Sequence, residues 1–486
     1  MKYSNQFIAK SMRNDDQLPN RLMSLLVKLM WLIFAACVGL TAFSIIDSSR
    51  FTFEGYIHFD GLALTMLMAI SFFSAIVHSY AQRYMSGYKR YHNFMISGFV
   101  FTLAVMLLVV ADHVVLFALS WLVMGAVMAA LIGHVRDWQD ARAAGKYAFR
   151  QFLLGTISLS AGIAVTSYYT GEVSIAGIAQ NVEQIPVAIS VIAVLLIIVA
   201  ALVQSSLFPF HKWLLSSLTA PTPASALMHA GFVNAAGILL TRFAPLFYST
   251  KLLGMIVIIG VCGAILGKFW KQIQVTVKRK LACSTIAQMG FMLVQCGLGF
   301  FSAAITHLIL HGFYKAYLFL SSGSEIIQQK PEMEKERFNP AQLPVLILSG
   351  LIGGLVFILI TGKGMIIDSG GILTLVVVIS VIHATHTALR SKQASHRLKF
   401  ILTPLLIIIS IVVYAMIFNG VTYLMEDVKM SNAPVKLDFT HALAGFMFLM
   451  SYIMMSQSWL KHNKQLYTFL LNASQPFKRS TLIFKK

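Results

Sequence analysis

Charge is what this sequence has least of. Of 486 residues only 12% are Asp, Glu, Lys or Arg, and 18 acidic residues stand against 38 basic ones. Soluble domains carry about twice that share of charge, so a water-soluble fold is excluded. Cysteine is scarce as well: Cys37, Cys262, Cys283 and Cys296 form no CxxC pair. That spacing gives neither a disulfide framework nor a zinc site, so no metal or other cofactor is expected in this chain. Acidic residues are also missing from one particular place. None falls near the middle of an apolar stretch, whereas a self-sufficient proton pump uses a buried carboxylate whose affinity for protons can be shifted.

What is present in abundance is apolar sequence, 57% of the chain. About fourteen stretches, from 25–47 to 439–460, approach the roughly 20 residues that span a bilayer. The fold class expected is therefore an all-α polytopic membrane protein. The first 24 residues are polar and the first apolar run is long enough to span and stay, so no cleavable leader is expected. The net charge of +20 is no nucleic-acid signature, because the basic residues fall in alternate loops. Arg83, Lys89 and Arg90 mark one such loop, Arg136 to Arg150 a second and Lys268 to Lys280 a third. The loops between them hold Asp47, Glu54 and Asp60, then Glu172 and Glu183, then Glu426 and Asp427. This alternation predicts an even number of spans with both termini in the cytoplasm.

Two places interrupt the apolar pattern. Pro209, Pro221 and Pro223 bracket a short amphipathic piece, and proline both breaks helices and frees backbone groups that must find partners at membrane depth. Thr361 to Gly364 forms a second interruption around Lys363. Interrupted helices at corresponding positions are how transporters with inverted repeats build a central site, although direct comparison of the halves shows no internal repeat. The mixed-charge segment 323–340 reads as a solvated loop.

The sharpest feature is a polar stripe. His307, His311 and Lys315 are spaced i, i+4 and i+8, which sets them on one face of a helix. Ionisable groups are expensive inside a bilayer and generally face a wet interior. Histidine exchanges protons near neutral pH. The plain alternative is interhelical hydrogen bonding, with the lysine snorkelling to the interface. His229 follows the proline-broken segment and could serve either purpose. His383 and His386 lie near a basic helix end, where an interfacial role is expected. Asp112 and His113 sit at a helix start, where capping is the default.

Together, Tyr84–Gly87, Val110–His113, Trp213–Leu214 with Ala220–Ala230, Lys278–Arg279 with Leu281–Gly290, and His307, His311 and Lys315 before Leu318–Gly323 resemble the antiporter-like membrane subunits. Those are the proton-translocating subunits of respiratory complex I and of the multisubunit cation/proton antiporters. The resemblance covers about residues 60–390. It implies two inverted five-helix repeats with broken helices, at about 93–241 and 252–390, inside a core of 93–390. Residues 1–92 would supply a cytoplasmic segment and two helices, and 391–486 further helices and a basic tail. His229, His307, His311 and Lys315 match the family's positions. Two others depart from it: the essential glutamate of the helix-four motif is replaced by Leu122, and the lysine of the first broken helix by Gln204. Lys363 could stand in for the second broken-helix lysine, but no acid follows it directly.

Within that family, the stretch Pro209–Leu218 leading to His229–Asn234 and Arg242–Pro245 is most similar to the membrane subunits of DAB inorganic-carbon uptake complexes. That likeness implies a large peripheral carbonic-anhydrase-like partner holding zinc, and a chain that conducts protons or sodium ions through a bacterial inner membrane without being an enzyme itself. A cation/proton antiporter or an NADH-quinone oxidoreductase membrane-arm subunit is the alternative, and a membrane scaffold is a third reading.

Overall fold

The computed structural model describes residues 20–47, 52–53, 55–321, 343–366, 368–389, 396–456 and 463–477. The segment 323–340 lies outside them, as do residues 1–19 and Lys461, Lys478, Arg479, Lys485 and Lys486 of the basic tail. The described chain is a bundle of helices. A two-residue hairpin, β1 (Thr52–Phe53) against β2 (Ile57–His58), is the only sheet among the described residues.

Among the described residues, eleven helical stretches are long and apolar enough to cross a membrane, the broken stretch Thr222–Arg242 being one of them. They include α1 (Asn20–Ile46), α2 (Gly61–Tyr84), α3 (Tyr91–Val110), α4 (Val114–Ile132), α5 (Gln139–Thr170) and, after the short α6 (Ile175–Gln180), α7 (Val187–Gln204). The remaining three of the expected fourteen stretches are helical too but are not among those eleven. They are α13 (Val277–Gly297), which opens on Lys278, Arg279 and Lys280, α14 (Phe301–Ser321), which bears the polar stripe, and α18 (Phe439–Ser456). The outer surface is apolar: Leu32, Ile157, Leu348 and Leu359 are each more than half exposed. A helix that is apolar on every side is stable only where its surroundings are apolar as well.

Helix starts follow the local chemistry. Asp60 caps α2 by accepting from the Ala63 amide at 2.9 Å, and His113 caps α4 by accepting from Val115 N at 3.2 Å. Asp112 joins that corner by accepting from Ser174 Oγ at 2.6 Å and Ala176 N at 2.9 Å. The capping role expected of this pair is what the geometry provides.

The proline segment behaves as its composition requires. Pro209 lies in the turn after α7, and a short helix, α8 (Lys212–Ser216), follows. Pro221 sits at the N-cap and Pro223 in the first turn of α9 (Thr222–Ala230). That position suits proline because the missing amide would have no intrahelical partner there. The span read as 221–241 is not continuous. It is interrupted at Gly231, passes through a short 3-10 turn, and resumes as α10 (Ala235–Arg242), followed by α11 (Ala244–Thr250).

The second interruption has a different form. The chain leaves α15 (Leu343–Thr361) and turns through Gly362 and Gly364, with φ of 68° and 89°, before entering α16 (Ser369–Leu389). Thr361–Gly364 is thus a turn between two helices, and only glycine adopts those angles without strain. Two helices follow, α17 (His396–Leu424) and α18, and the short α19 (Lys464–Ala473) comes last.

The tightest pairing in the bundle joins α12 (Leu253–Ile273) to α13, and small residues account for it. A Cβ on Gly290 would come within 2.3 Å of Ala264 N, and one on Gly267 within 2.4 Å of Ala287 N. Small residues let backbones approach in a setting where lipid supplies no hydrophobic drive between helices.

Candidate functional site

The polar stripe of α14 faces inward. Lys315 is fully buried, His311 is 5% exposed and His307 is half-buried. The Lys315 ammonium donates to the Leu281 carbonyl of α13 at 2.8 Å and also to Ser284 Oγ. Both partners are uncharged, and no ion pair to Lys315 is found among the described residues. A buried cation held only by neutral dipoles is a costly arrangement. One turn along, His311 stacks on His307 with ring centroids 6.0 Å apart and planes at 13°. Phe291 of α13 packs against His307 in a T-shaped arrangement, with centroids 5.3 Å apart.

His229 comes to the same place from α9. It is 1% exposed and stacks on Phe319, one turn beyond Lys315, at 4.5 Å and 12°. That stack sets it against the turn of α14 that follows Lys315. The broken helix is tied to α14 in two ways. Asn234 Nδ2 donates to Ala230 O at 2.8 Å and to Leu308 O at 3.3 Å. Gly312 allows the close approach, since a Cβ there would lie 3.2 Å from Ala230 O and 2.7 Å from the Phe73 ring.

Several ring nitrogens in this group have no hydrogen-bond partner from the described protein: Nε2 of His307, both nitrogens of His311 and Nδ1 of His229. A buried polar atom left so costs about 1–3 kcal/mol. Three imidazoles and one ammonium converging with open valences form a group that can accept and hand on protons.

Gln204 and Leu122, the two positions expected to depart from the family, stand elsewhere. Gln204 ends α7 and is 1% exposed; its Nε2 donates to Phe232 O at 2.7 Å, so it satisfies a carbonyl in the helix break. Leu122 is half-buried on α4, which packs mainly against α3 and α5. Lys363 sits in the α15–α16 turn with Nζ 5.2 Å above the Phe300 ring. Burial holds its amine below the ordinary lysine value, against the opposing pull of Asp368. His383 and His386 lie in the last two turns of α16.

Three polar features had no signal in a sequence read locally. Asp60 and Arg242 form a buried ion pair across 182 positions, and Arg242 also donates to Val109 O at 2.8 Å. Ser74, His78 and Thr102 form a buried hydrogen-bonded cluster between α2 and α3. Gln295 of α13 is fully buried. The Asp60 carboxyl is pushed up by burial, but Arg242 outweighs this and holds it below the usual carboxylate value.

Comparison with known proteins places this arrangement. Residues 111–341 match the family described as NADH:quinone oxidoreductase/Mrp antiporter, transmembrane, and residues 46–95 match the N-terminus of chain 5 of NADH-ubiquinone oxidoreductase (complex I). Together the two stretches take in more than half of the chain. The chain belongs to the antiporter-like membrane subunits.

Among curated members of that family, the chain is 36% identical over 282 residues to the probable inorganic carbon transporter subunit DabB of Bacillus anthracis, 57% of this chain and 55% of that one. It is 36% identical over 287 residues to DabB1 of Halothiobacillus neapolitanus, 57% and 50% of the two chains. The NADH-quinone oxidoreductase subunit L of Escherichia coli is 32% identical over 305 residues, 61% and 49%. The chain thus spans about half the length of the curated relatives it matches. In fold it is similar to a chain of the membrane-bound sulfane sulfur reductase, an archaeal respiratory membrane complex, with TM-score 0.59, 16% identity and 98% and 96% of the two chains covered. A chain of the Mrp complex from a Dietzia species gives TM-score 0.55 at 20% identity, covering 94% and 51%.

Proposed function

We propose that this antiporter-like subunit is the membrane part of an energy-coupled inorganic-carbon uptake complex. It conducts a cation, proton or sodium ion, whose descent drives hydration of carbon dioxide to bicarbonate in a peripheral zinc-containing partner. The observation that carries the reading is the convergence of His307, His311, Lys315 and His229 on one buried group without a carboxylate. His307, His311 and Lys315 form the central path, His229 links it to the broken helix, and Lys363 is the exit group. The site needs no metal of its own, and hydration chemistry resides in the partner.

The substitutions at Leu122 and Gln204 favour this reading over a complete antiporter, because each removes a titrating group that antiport uses. One charge crossing a potential of about 100 mV releases about 2.3 kcal/mol, enough to displace a coupled equilibrium about 50-fold. A single conducted cation would therefore suffice to make hydration run one way. The chain lies in the bacterial inner membrane with both termini cytoplasmic, and the basic loops at Arg83–Arg90, Arg136–Arg150 and Lys268–Lys280 present the docking face.

The test is growth in air of a bacterium lacking carbonic anhydrase. This chain expressed with its partner restores growth, and neither does so alone. Rescue by this chain without a partner would sink the proposal. The second reading, a cation/proton antiporter or an NADH-quinone oxidoreductase membrane-arm subunit, draws on the likeness to subunit L. It would be favoured by sodium exchange in vesicles that follows a pH gradient and needs no carbon dioxide.

A further inference from the structure

The polar column of α14 has a continuation on α13. The two helices form a hairpin whose register is set by Lys315 against Leu281 and Ser284 at one end and by Phe291 against His307 further along. Gln295 lies eleven residues beyond Ser284 and four beyond Phe291, which on a helix is the same stripe and one further turn of about 6 Å. It is fully buried, and neither atom of its carboxamide is engaged in a well-formed hydrogen bond. The Tyr414 hydroxyl of α17 faces it. Thr422 Oγ1 of the same helix donates to Ser302 Oγ at 3.2 Å, which fixes α17 beside the start of α14. Past Gln295 the chain turns, and Phe300 N donates to Gln295 O at 3.0 Å. The Phe300 ring carries Lys363. Lys315, His311, His307, Gln295 and Lys363 therefore succeed one another from the end bearing Lys278–Lys280 to the opposite end.

We infer that Gln295 and Tyr414 form a second, uncharged station of the ion path, joining His307 to Lys363. The inference rests on the path reading of His307, His311 and Lys315. A carboxamide and a phenol offer donors and acceptors without a fixed charge, so they can hold water or a hydrated cation between two cationic positions without trapping it. A packing role predicts something else. A buried carboxamide engaged only weakly contributes little to a helix interface, so a leucine of similar size would keep or raise the stability of the bundle and leave its work untouched.

The experiment uses the complete complex and compares Gln295→Leu, Gln295→Asn, Tyr414→Phe and Lys315→Ala. We expect Gln295→Leu to melt at the same or a higher temperature while cation-coupled carbon uptake falls about tenfold or more, and Gln295→Asn to recover most of the rate. Loss of uptake in Lys315→Ala with full uptake in Gln295→Leu overturns this inference and leaves the path reading standing. Full uptake in Lys315→Ala overturns both. Should Gln295→Leu fail to assemble, Tyr414→Phe decides, and an unchanged rate there counts against the station.

Discussion

Lys315 donates to the main-chain carbonyl of Leu281 at 2.8 Å, so the only buried lysine of the polar column is anchored to the backbone of the neighbouring helix rather than to an acid. A lysine held by a carboxylate would be locked in its charged form; one held by neutral dipoles can give up its proton at less cost. We expect Lys315→Ala to abolish coupled uptake in the complex, by about a hundredfold or more, while the chain still inserts and binds its partner. Lys315→Arg should fail as well, because guanidinium does not deprotonate. Unchanged uptake in an assembled Lys315→Ala complex would favour the scaffold reading instead.

Gln204 serves the helix break. Its side chain donates to Phe232 O at 2.7 Å across the interruption at Gly231. Replacing it by leucine removes that bond and leaves the carbonyl with the Ala235 amide as its partner, at a cost of about 0.5–1.5 kcal/mol. The melting temperature of the purified subunit in detergent should drop for Gln204→Leu and hold for Gln204→Asn only if the shorter amide still reaches. An unaltered melting temperature in Gln204→Leu means the bond contributes nothing to the break.

How much of this was legible in the sequence depends on how local each feature is. His307, His311 and Lys315 declare themselves because helical spacing alone puts them on one face. Helix existence was equally readable, since the described part of each expected stretch is helical, with a break at Gly231 in one of them. The break at Gly231 was obscured by Pro221 and Pro223 before it, which mark where α9 starts rather than where it stops. The turn at Gly362–Gly364 looked like an interrupted helix because glycine signals a departure from helix without saying whether the next segment continues or reverses. Gln204 read as a loss; its hydrogen bond to a residue 28 positions away gives it a structural use. Gln295 was invisible, as an uncharged residue gains its meaning only from the register of α13 against α14.

The glycine interface between α12 and α13 makes a steric prediction. Gly290→Val would drive a Cβ to within 2.3 Å of Ala264 N, so the two helices must part. Because α13 holds both anchors of Lys315, parting them should disturb the polar column too. We expect little assembled complex, with insertion of the individual helices intact by protease protection. A single methyl already collides here, so Gly290→Ala should show the same defect more weakly. Normal assembly of Gly290→Val would place the interface elsewhere.

The Asp60–Arg242 pair gives a prediction with a definite pH sign. Arg242 closes α10 and Asp60 opens α2, so the pair fastens the broken helix to the second span, and Val109 O takes a further donor from the same guanidinium. In the folded chain the carboxyl sits below its usual value, near which the unfolded chain titrates, at about 3.9. The folded state then holds fewer protons than the unfolded state within that window. The pair's contribution is complete above about pH 4 and is lost as pH falls through the lower folded value. Asp60→Asn abolishes this term, and by leaving Arg242 buried without its partner it should cost about 3–5 kcal/mol. Melting temperatures of wild type and Asp60→Asn between pH 3 and pH 8 should therefore differ most above pH 5 and converge toward the acid end. Parallel curves across the whole range would mean that the carboxylate charge plays no part in holding these helices together.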